Sequence, residues 1–201
     1  MKANAGGLTP TIQQQGLVIM ATPTVNFLSY NSTGIAAAKC QFIQDICDTH
    51  NVAYLSVQEH FKWSKVTSKY FIEKFDKYNS YVIPAYRPKT QDSGRAKGGL
   101  AQLCLKEVDV KKDTVGTKNW RVQAQVLNFP TSRLLWINTY LPTDPHTVNF
   151  DDSELLDVLN EIEDIMDEND FNDVILNGDL NWEMTRNTGF STVMSSFVQR
   201  L

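Results

Sequence analysis

The sequence is poor in several things that would place a chain in a common class. Of its 201 residues only three are cysteine: Cys40, Cys47 and Cys104. Their number is odd and their spacing is not that of a metal knuckle, which argues against a disulfide framework or a zinc ribbon. They are expected to be reduced core thiols. Histidine is as scarce, and His60 and His146, taken singly, are poor candidates for metal ligands. The longest early apolar run, 17–21, is far short of the ~20 residues of a spanning helix. It is also shorter than a signal-peptide core, with Lys2 the only basic residue ahead of it. No transmembrane segment or signal peptide is expected, and the implied location is intracellular, nuclear or cytoplasmic. A basic amphipathic helix of the membrane-surface type is lacking, as is any internal repeat.

Positive charge is in deficit overall, with 19 Lys and Arg against 23 Asp and Glu. Evenly spread, that would speak against a nucleic-acid partner. It is not evenly spread. Segment 151–170 holds ten acids and no Lys or Arg, which leaves 13 acids against 19 basic residues elsewhere. The length suits one domain with or without a tail, and 42% apolar residues are enough for a sizeable core.

Residues 1–23 are Gly-, Gln-, Thr- and Pro-rich without periodicity and are expected to be a mobile tail, with the domain over 24–201. Val25–Tyr30 reads as a strand and Gly34–His50 as a helix, with Ile35, Ala38, Phe42, Ile46 and Cys47 on its apolar stripe. Val52–Val57 is a nearly continuous apolar strand, of the kind buried on both faces. Residues 62–78 carry Tyr70, Phe71, Phe75 and Tyr78 at helical spacing and read as a helix or an ordered loop. Ser80–Ala85 is a strand, followed by a basic loop over 86–99 with Arg87, Lys89, Arg95 and Lys97. Leu100–Lys106, Arg121–Phe129 and Leu134–Tyr140 read as strands. The second alternates like a half-buried antiparallel strand. Asp151 or Asp152 with Ser153 can cap a helix to about Asn169, its stripe Leu155, Leu156, Leu159, Ile162 and Met166. Asp173–Leu176 reads as a buried strand and Phe190–Val198 as a last helix. This order favours an α/β (α+β) architecture of two mixed sheets with helices outside. A purely parallel doubly wound fold is the alternative, disfavoured because 100–140 offers no helical crossover.

Polar residues fall where the strands end. Asn31 follows one strand, Glu59 another, Tyr140 closes a third, and Asp179 and Asn181 follow a fourth. Taken singly, Asn31 and Asp179 read as ordinary turn residues, Glu59 as a solvated one and Tyr140 as a half-buried strand aromatic. Together they suit one chemistry, because strand ends converge at a sheet edge. Glu59 can supply a carboxylate and Asn31 a carbonyl oxygen to Mg²⁺, a hard cation. Asp179 can take a proton from water with Asn181 orienting it, and Tyr140 can donate to a phosphate oxygen. That set describes metal-assisted hydrolysis of a phosphate ester.

The ordered motifs Asn31…Gly34, Gln58-Glu59, Gly98-Gly99-Leu100-Ala101, Tyr140-Leu141-Pro142 and Gly178-Asp179-Leu180-Asn181 resemble those of the endonuclease/exonuclease/phosphatase (DNase I-like) superfamily over about residues 25–200. The resemblance implies two packed mixed sheets flanked by helices, a four-layer sandwich. It makes Glu59 the metal ligand for Mg²⁺ (or Mn²⁺) and Asn31 a support for metal or phosphate. Tyr140 becomes the phosphate contact, and Asp179 the base, with Asn181 beside it. Gln58-Glu59-His60-Phe61 and Thr139-Tyr140-Leu141-Pro142-Thr143-Asp144 are most similar in flavour to endonuclease domains of non-LTR retrotransposons. DNA, met through its phosphate backbone by Arg87, Lys89, Arg95 and Lys97, is then the expected partner of a monomeric protein. The family pattern also holds a Ser-Asp-His-type segment several dozen residues after Gly-Asp-x-Asn, whereas the sequence ends at Leu201. The expectation is therefore a domain incomplete at its C-terminus, lacking the last strands, with activity open. A non-catalytic nucleic-acid- or protein-binding module and a phosphoinositide or sphingolipid phosphoesterase are the competing readings.

Overall fold

Two strand–helix–strand units set the architecture. The computed structural model describes residues 25–64, 66–87, 95–146 and 151–201; the tail expected over 1–23 and the basic residue Lys89 lie outside them. In chain order the elements are β1 (Asn26–Asn31), α1 (Ala37–Thr49), β2 (Val52–Gln58), α2 (Thr67–Lys74), β3 (Tyr78–Ile83), β4 (Leu100–Leu105), β5 (Lys111–Val115), β6 (Val122–Asn128), β7 (Arg133–Tyr140), α3 (Ser153–Glu168), β8 (Asp173–Asp179) and α4 (Gly189–Arg200). One sheet runs β1-β2-β4-β3 and the other β5-β6-β7-β8. β1 with β2 and β7 with β8 are parallel, and each pair is joined by a helix, since a parallel return needs a long crossover. The remaining pairings are antiparallel. This is the expected pair of mixed sheets with flanking helices.

Side chains alternate across a strand, so every second residue faces the opposite sheet. On the outer face of the first sheet, Leu55, Val57, Ala101 and Leu103 pack with Cys40, Ile43 and Cys47 of α1 and Phe71 of α2. The second sheet turns Val122, Ala124, Val126, Leu135 and Ile137 toward α3 and α4. Between the sheets, Phe27 stacks on Tyr54 at 4.5 Å and Trp136 meets both edge-on. Two residues further along each strand the filling turns polar: Ser29, Ser56, Asn138 and Asn177. Two further again come Asn31, Gln58, Tyr140 and Asp179.

That polar layer is tied together by side-chain hydrogen bonds between the sheets. Gln58 Nε2 donates to Ser29 Oγ (3.0 Å) and to Asn138 Oδ1 (2.7 Å). Asn138 Nδ2 donates to Ala101 O and Gln123 Oε1, both 3.2 Å. Ser56 Oγ donates to Asn177 Oδ1 (3.0 Å) and accepts from Trp136 Nε1 (3.1 Å). Leaving one such buried group unpaired costs about 1–3 kcal/mol.

Several sequence expectations are corrected. α1 begins at Ala37, not Gly34, because Gly34 sits in a turn at φ +94°. Its buried face is then Cys40, Ile43 and Cys47, and Phe42 is 52% exposed. In α3 the buried stripe is Leu155, Val158, Leu159, Ile162 and Ile165, with Leu156 turned outward. Asp152 precedes α3 without capping it through its side chain, and the carboxylate of Asp151 accepts from Ser153 N instead. Tyr78 opens β3 instead of extending the helix before it. β5 was not anticipated: Lys-Lys-Asp-Thr-Val shows no apolar alternation because it is a short outer strand, and charge there discourages further pairing. β6 is buried on both faces, since Gln123 and Gln125 join the layer between the sheets. β8 is only partly buried, as its outer position in the sheet dictates, and it runs on through Asp179.

Candidate active site

The candidate residues meet where β1, β2, β7 and β8 end. β1 and β2 are tied together there: Ser32 N and Ser32 Oγ both donate to Gln58 O at 2.9 Å, and Gly34 N donates to Glu59 O at 2.7 Å. Asn31 accepts from Thr33 N through its Oδ1 (2.9 Å), which fixes the side chain in an Asx turn. Its Nδ2 is thereby free to cross to the other sheet, where it donates to Asp179 Oδ2 at 2.5 Å.

Beyond β2 the chain leaves the strand through two left-handed residues, Glu59 (φ +53°) and Phe61 (φ +55°). Non-glycine residues there cost about 1–3 kcal/mol each and persist when neighbours over-determine them. Here the neighbours are the Gly98-Gly99 turn and His60. Phe61 N donates to Gly98 O at 3.0 Å and His60 N to Gly99 O at 3.4 Å. Gly99, at φ +93°, lies flat on the imidazole, where a Cβ would stand 2.4 Å from His60 Cε1. His60 Nδ1 accepts from Lys62 N (3.0 Å), which makes Nε2 the protonated nitrogen donating to Ile83 O (3.1 Å). Burial pulls its pKa down to about 4, so it is neutral and acts as a buttress under Glu59.

The second sheet supplies the rest. Tyr140 ends β7 half-buried, with Glu59 near its hydroxyl. Burial first, then the neighbouring Glu59 carboxylate, push its pKa up to about 12, so it stays a proton donor at neutral pH. Asp179 ends β8. Burial lifts its pKa above the ordinary carboxylate value and the Glu59 charge adds to this, opposed by the Asn181 N–H and the Asn31 amide. Asn181, at φ +46°, places its N–H 3.3 Å from Asp179 Oδ1 and donates through Nδ2 to Leu141 O at 2.8 Å. Leu141 N in turn donates to Asp179 O at 2.9 Å, so the exits of β7 and β8 are locked together.

The structure thus gathers Asn31, Glu59, Tyr140, Asp179 and Asn181. Of the basic loop, Arg95 packs over the Phe61 ring at 3.4 Å and Arg87 over Trp63 at 4.7 Å. Lys97 is exposed, its main chain paired with Tyr86. His146 lies against Arg186 (2.7 Å) and near buried Asp144. Two residues at this end were not singled out from sequence. Arg121, 7% exposed, donates to Glu154 Oε1 through Nε and Nη2 and to Tyr140 O through Nη1. Asn138 is the hub behind Gln58. Its signal was an amide inside the apolar run Leu134–Tyr140; Arg121, one residue before its strand, had none.

Among the described residues, no group of three or more His, Cys, Asp or Glu side chains converges to hold a metal. Glu59 and Asp179 are two carboxylates close enough for one to raise the pKa of the other, with amides beside them. Such an oxygen-only set fits Mg²⁺ or Mn²⁺, which accept one or two carboxylates and complete their shell with water and phosphate. It does not fit a structural zinc.

No family model and no curated protein matches the sequence. Solved structures do match. The chain is similar to the endonuclease domain of TRAS1, a telomere-specific non-LTR retrotransposon, with a TM-score of 0.59 and 12% identity over 87% of this chain and 70% of that one. It is similar to the AP endonuclease LMAP from Leishmania major, with a TM-score of 0.58 and 14% identity over 87% of this chain and 66% of that one. It is similar to TDP2 from C. elegans, with a TM-score of 0.51 and 18% identity over 81% of this chain and 49% of that one. The chain therefore spans from about half to 70% of the length of these structures.

Proposed function

This chain has the DNase I-like fold of the endonuclease/exonuclease/phosphatase superfamily, and we propose that its site hydrolyses a phosphodiester of DNA with a divalent cation. The observation that carries this reading is the bond from Asn31 to Asp179 across the two sheets, made beside Glu59. A base, a metal ligand and an orienting amide come from three strand ends and reach one place.

Asp179 takes the proton of the attacking water. Its raised pKa makes it a stronger base than an exposed aspartate. Asn31 and the Asn181 N–H hold its two oxygens and so aim the remaining lone pairs. Glu59 would hold Mg²⁺ or Mn²⁺, which when bound supplies charge stabilisation at a phosphate oxygen. Tyr140, neutral and half-buried, donates to a second phosphate oxygen as negative charge builds there. Arg95 and Lys97 provide positive charge for the backbone of a nucleic acid. Retrotransposon-type DNA nicking is the finer assignment. It rests on the motif wording around Glu59 and Tyr140 and on the likeness to the TRAS1 domain.

Supercoiled plasmid incubated with Mg²⁺ tests the reading. Nicking is expected from the parent protein, with a loss of about 10²–10⁴-fold in Asp179→Ala, the range for a general base, and a comparable loss in Glu59→Ala. Nicking untouched by either change contradicts the assignment. Salt-sensitive DNA binding without turnover in any of the proteins would make the chain a binding module.

A further inference from the structure

Beside the site stands an ordered column of flat groups that the hydrolytic chemistry does not use. At its base, Arg121 is held by Glu154 and by Tyr140 O, and its guanidinium lies 4.3 Å from the Trp120 ring centre. Trp120 is pressed onto Gly98, where a Cβ would stand 2.4 Å from Cζ3. Tyr86 stacks on Trp120 with centroids 5.3 Å apart and planes 14° from parallel. Tyr86 is in turn fixed by its two main-chain bonds with Lys97 (2.8 and 2.9 Å). Among the described residues the column ends at Tyr86, 45% exposed. Its middle member is 6.3 Å from the ring of Tyr140, the phosphate-contacting residue of the proposed reaction.

We infer that the Arg121–Trp120–Tyr86 column is a stacking platform on which one unstacked nucleobase of the substrate lies, next to the phosphate that is cut. This rests on the phosphodiesterase reading and names its substrate more closely: a strand whose base is out of the duplex stack at the site. Three features carry it. The column is rigid before any ligand arrives, so little ordering is lost on binding. Its cationic base polarises the aromatic stack toward a further π-system. Its middle member, Trp120, packs against the Tyr140 ring and so joins the column to the site. Trp120 and Arg121 also border a hollow lined by Lys118, Glu154, Asp157 and Glu161, of mixed charge. Arg95, over Phe61, and Arg87, over Trp63, offer positive charge to the backbone.

The test compares a short oligothymidylate with an abasic oligomer of equal length and charge, in EDTA so that neither is cut. Binding is followed by anisotropy and by quenching of tryptophan fluorescence. The parent protein is expected to prefer the oligothymidylate by about tenfold, the equivalent of one stacked base. Tyr86→Phe keeps the preference, and Tyr86→Ala, checked for an unchanged melting temperature, abolishes it. Equal binding of both oligomers by the parent, or a preference that survives Tyr86→Ala, overturns the platform while leaving the phosphodiesterase reading intact. Binding of neither oligomer, even at low salt, overturns both.

Discussion

At the residue scale, the site depends on how one carboxylate is tuned. Asp179 is raised by burial and by Glu59 and lowered by Asn31 and Asn181. Removing a lowering partner has a defined sign. Asn31→Ala raises the Asp179 pKa further, and a base works only when deprotonated, so the acid limb of the pH–rate profile is expected to move to higher pH. An unmoved limb would show that Asn31 does not address Asp179. The effect of Asp179 on stability is opposite in sign to that of a salt-bridged aspartate. With a folded pKa above the unfolded one, the ionised carboxylate weighs against folding fully above the folded pKa. The burden vanishes below the unfolded value. Asp179→Ala is therefore expected to lose least stability, relative to the parent, near neutral pH, and more as pH falls through the raised pKa to the ordinary carboxylate value, below which the difference is constant. Urea unfolding at several pH values checks this. The identities of Asn31, Glu59, Tyr140, Asp179 and Asn181 were legible because polar residues at the ends of apolar strands stand out. Arg121 and Trp120 were not legible as site residues, because a cation opening an expected strand and a ring just before it carry no pattern until β6 brings them to Tyr140.

At the scale of elements, Gly178 and Asn138 decide whether the two sheets deliver their ends to the same place. Gly178 lies inside β8 at φ +145°, and a Cβ there would stand 1.9 Å from the carbonyl oxygen of Thr139 in the paired strand. Nothing flexible can yield, so Gly178→Ala is expected to part β8 from β7 and cost about 3 kcal/mol, the upper end for overpacking. Asn138→Ala strips partners from Gln58, Ala101 and Gln123 at once, and an equal cost of about 3 kcal/mol is expected in urea unfolding. Loss of activity should accompany it, because Gln58 precedes Glu59. The strands with strong apolar patterns, β2 and β7, were legible as elements. Helix phases in α1 and α3 were not. In α1 a start three residues later than Gly34 rotates the stripe from Phe42 to Ile43. In α3 the choice between Leu156 and Val158 is made by the sheet surface underneath. β5 was invisible because an outer strand needs no apolar face.

For the whole molecule, two sheets meeting at one polar end bring together residues up to 148 positions apart. The architecture was legible from the order of strands and helices. The gradation between the sheets, from the rings of Phe27, Tyr54 and Trp136 through amides to carboxylates, was not. It appears only when facing strands are aligned in register. Charge follows the same organisation. Glu154, Glu163 and Asp170 of the acidic segment pair with Arg121, Arg200 and Arg133. Those acids partly serve the fold, and Arg95 and Lys97 remain for a polyanion. Log affinity for DNA is expected to fall linearly with log salt, and Arg95→Ala to reduce that slope by about one. A slope indifferent to Arg95 would remove that side chain from the binding face.

In the proposed reaction Glu59 and Asp179, from different sheets, form one metal-bearing hydrolytic centre. Titration of Mn²⁺ followed by its free-ion electron paramagnetic resonance signal tests this most directly. One ion per chain is expected for the parent protein, with binding at least about tenfold weaker in Glu59→Gln, as for loss of one ligating carboxylate. Mn²⁺ binding of the same stoichiometry and strength in Glu59→Gln would contradict it.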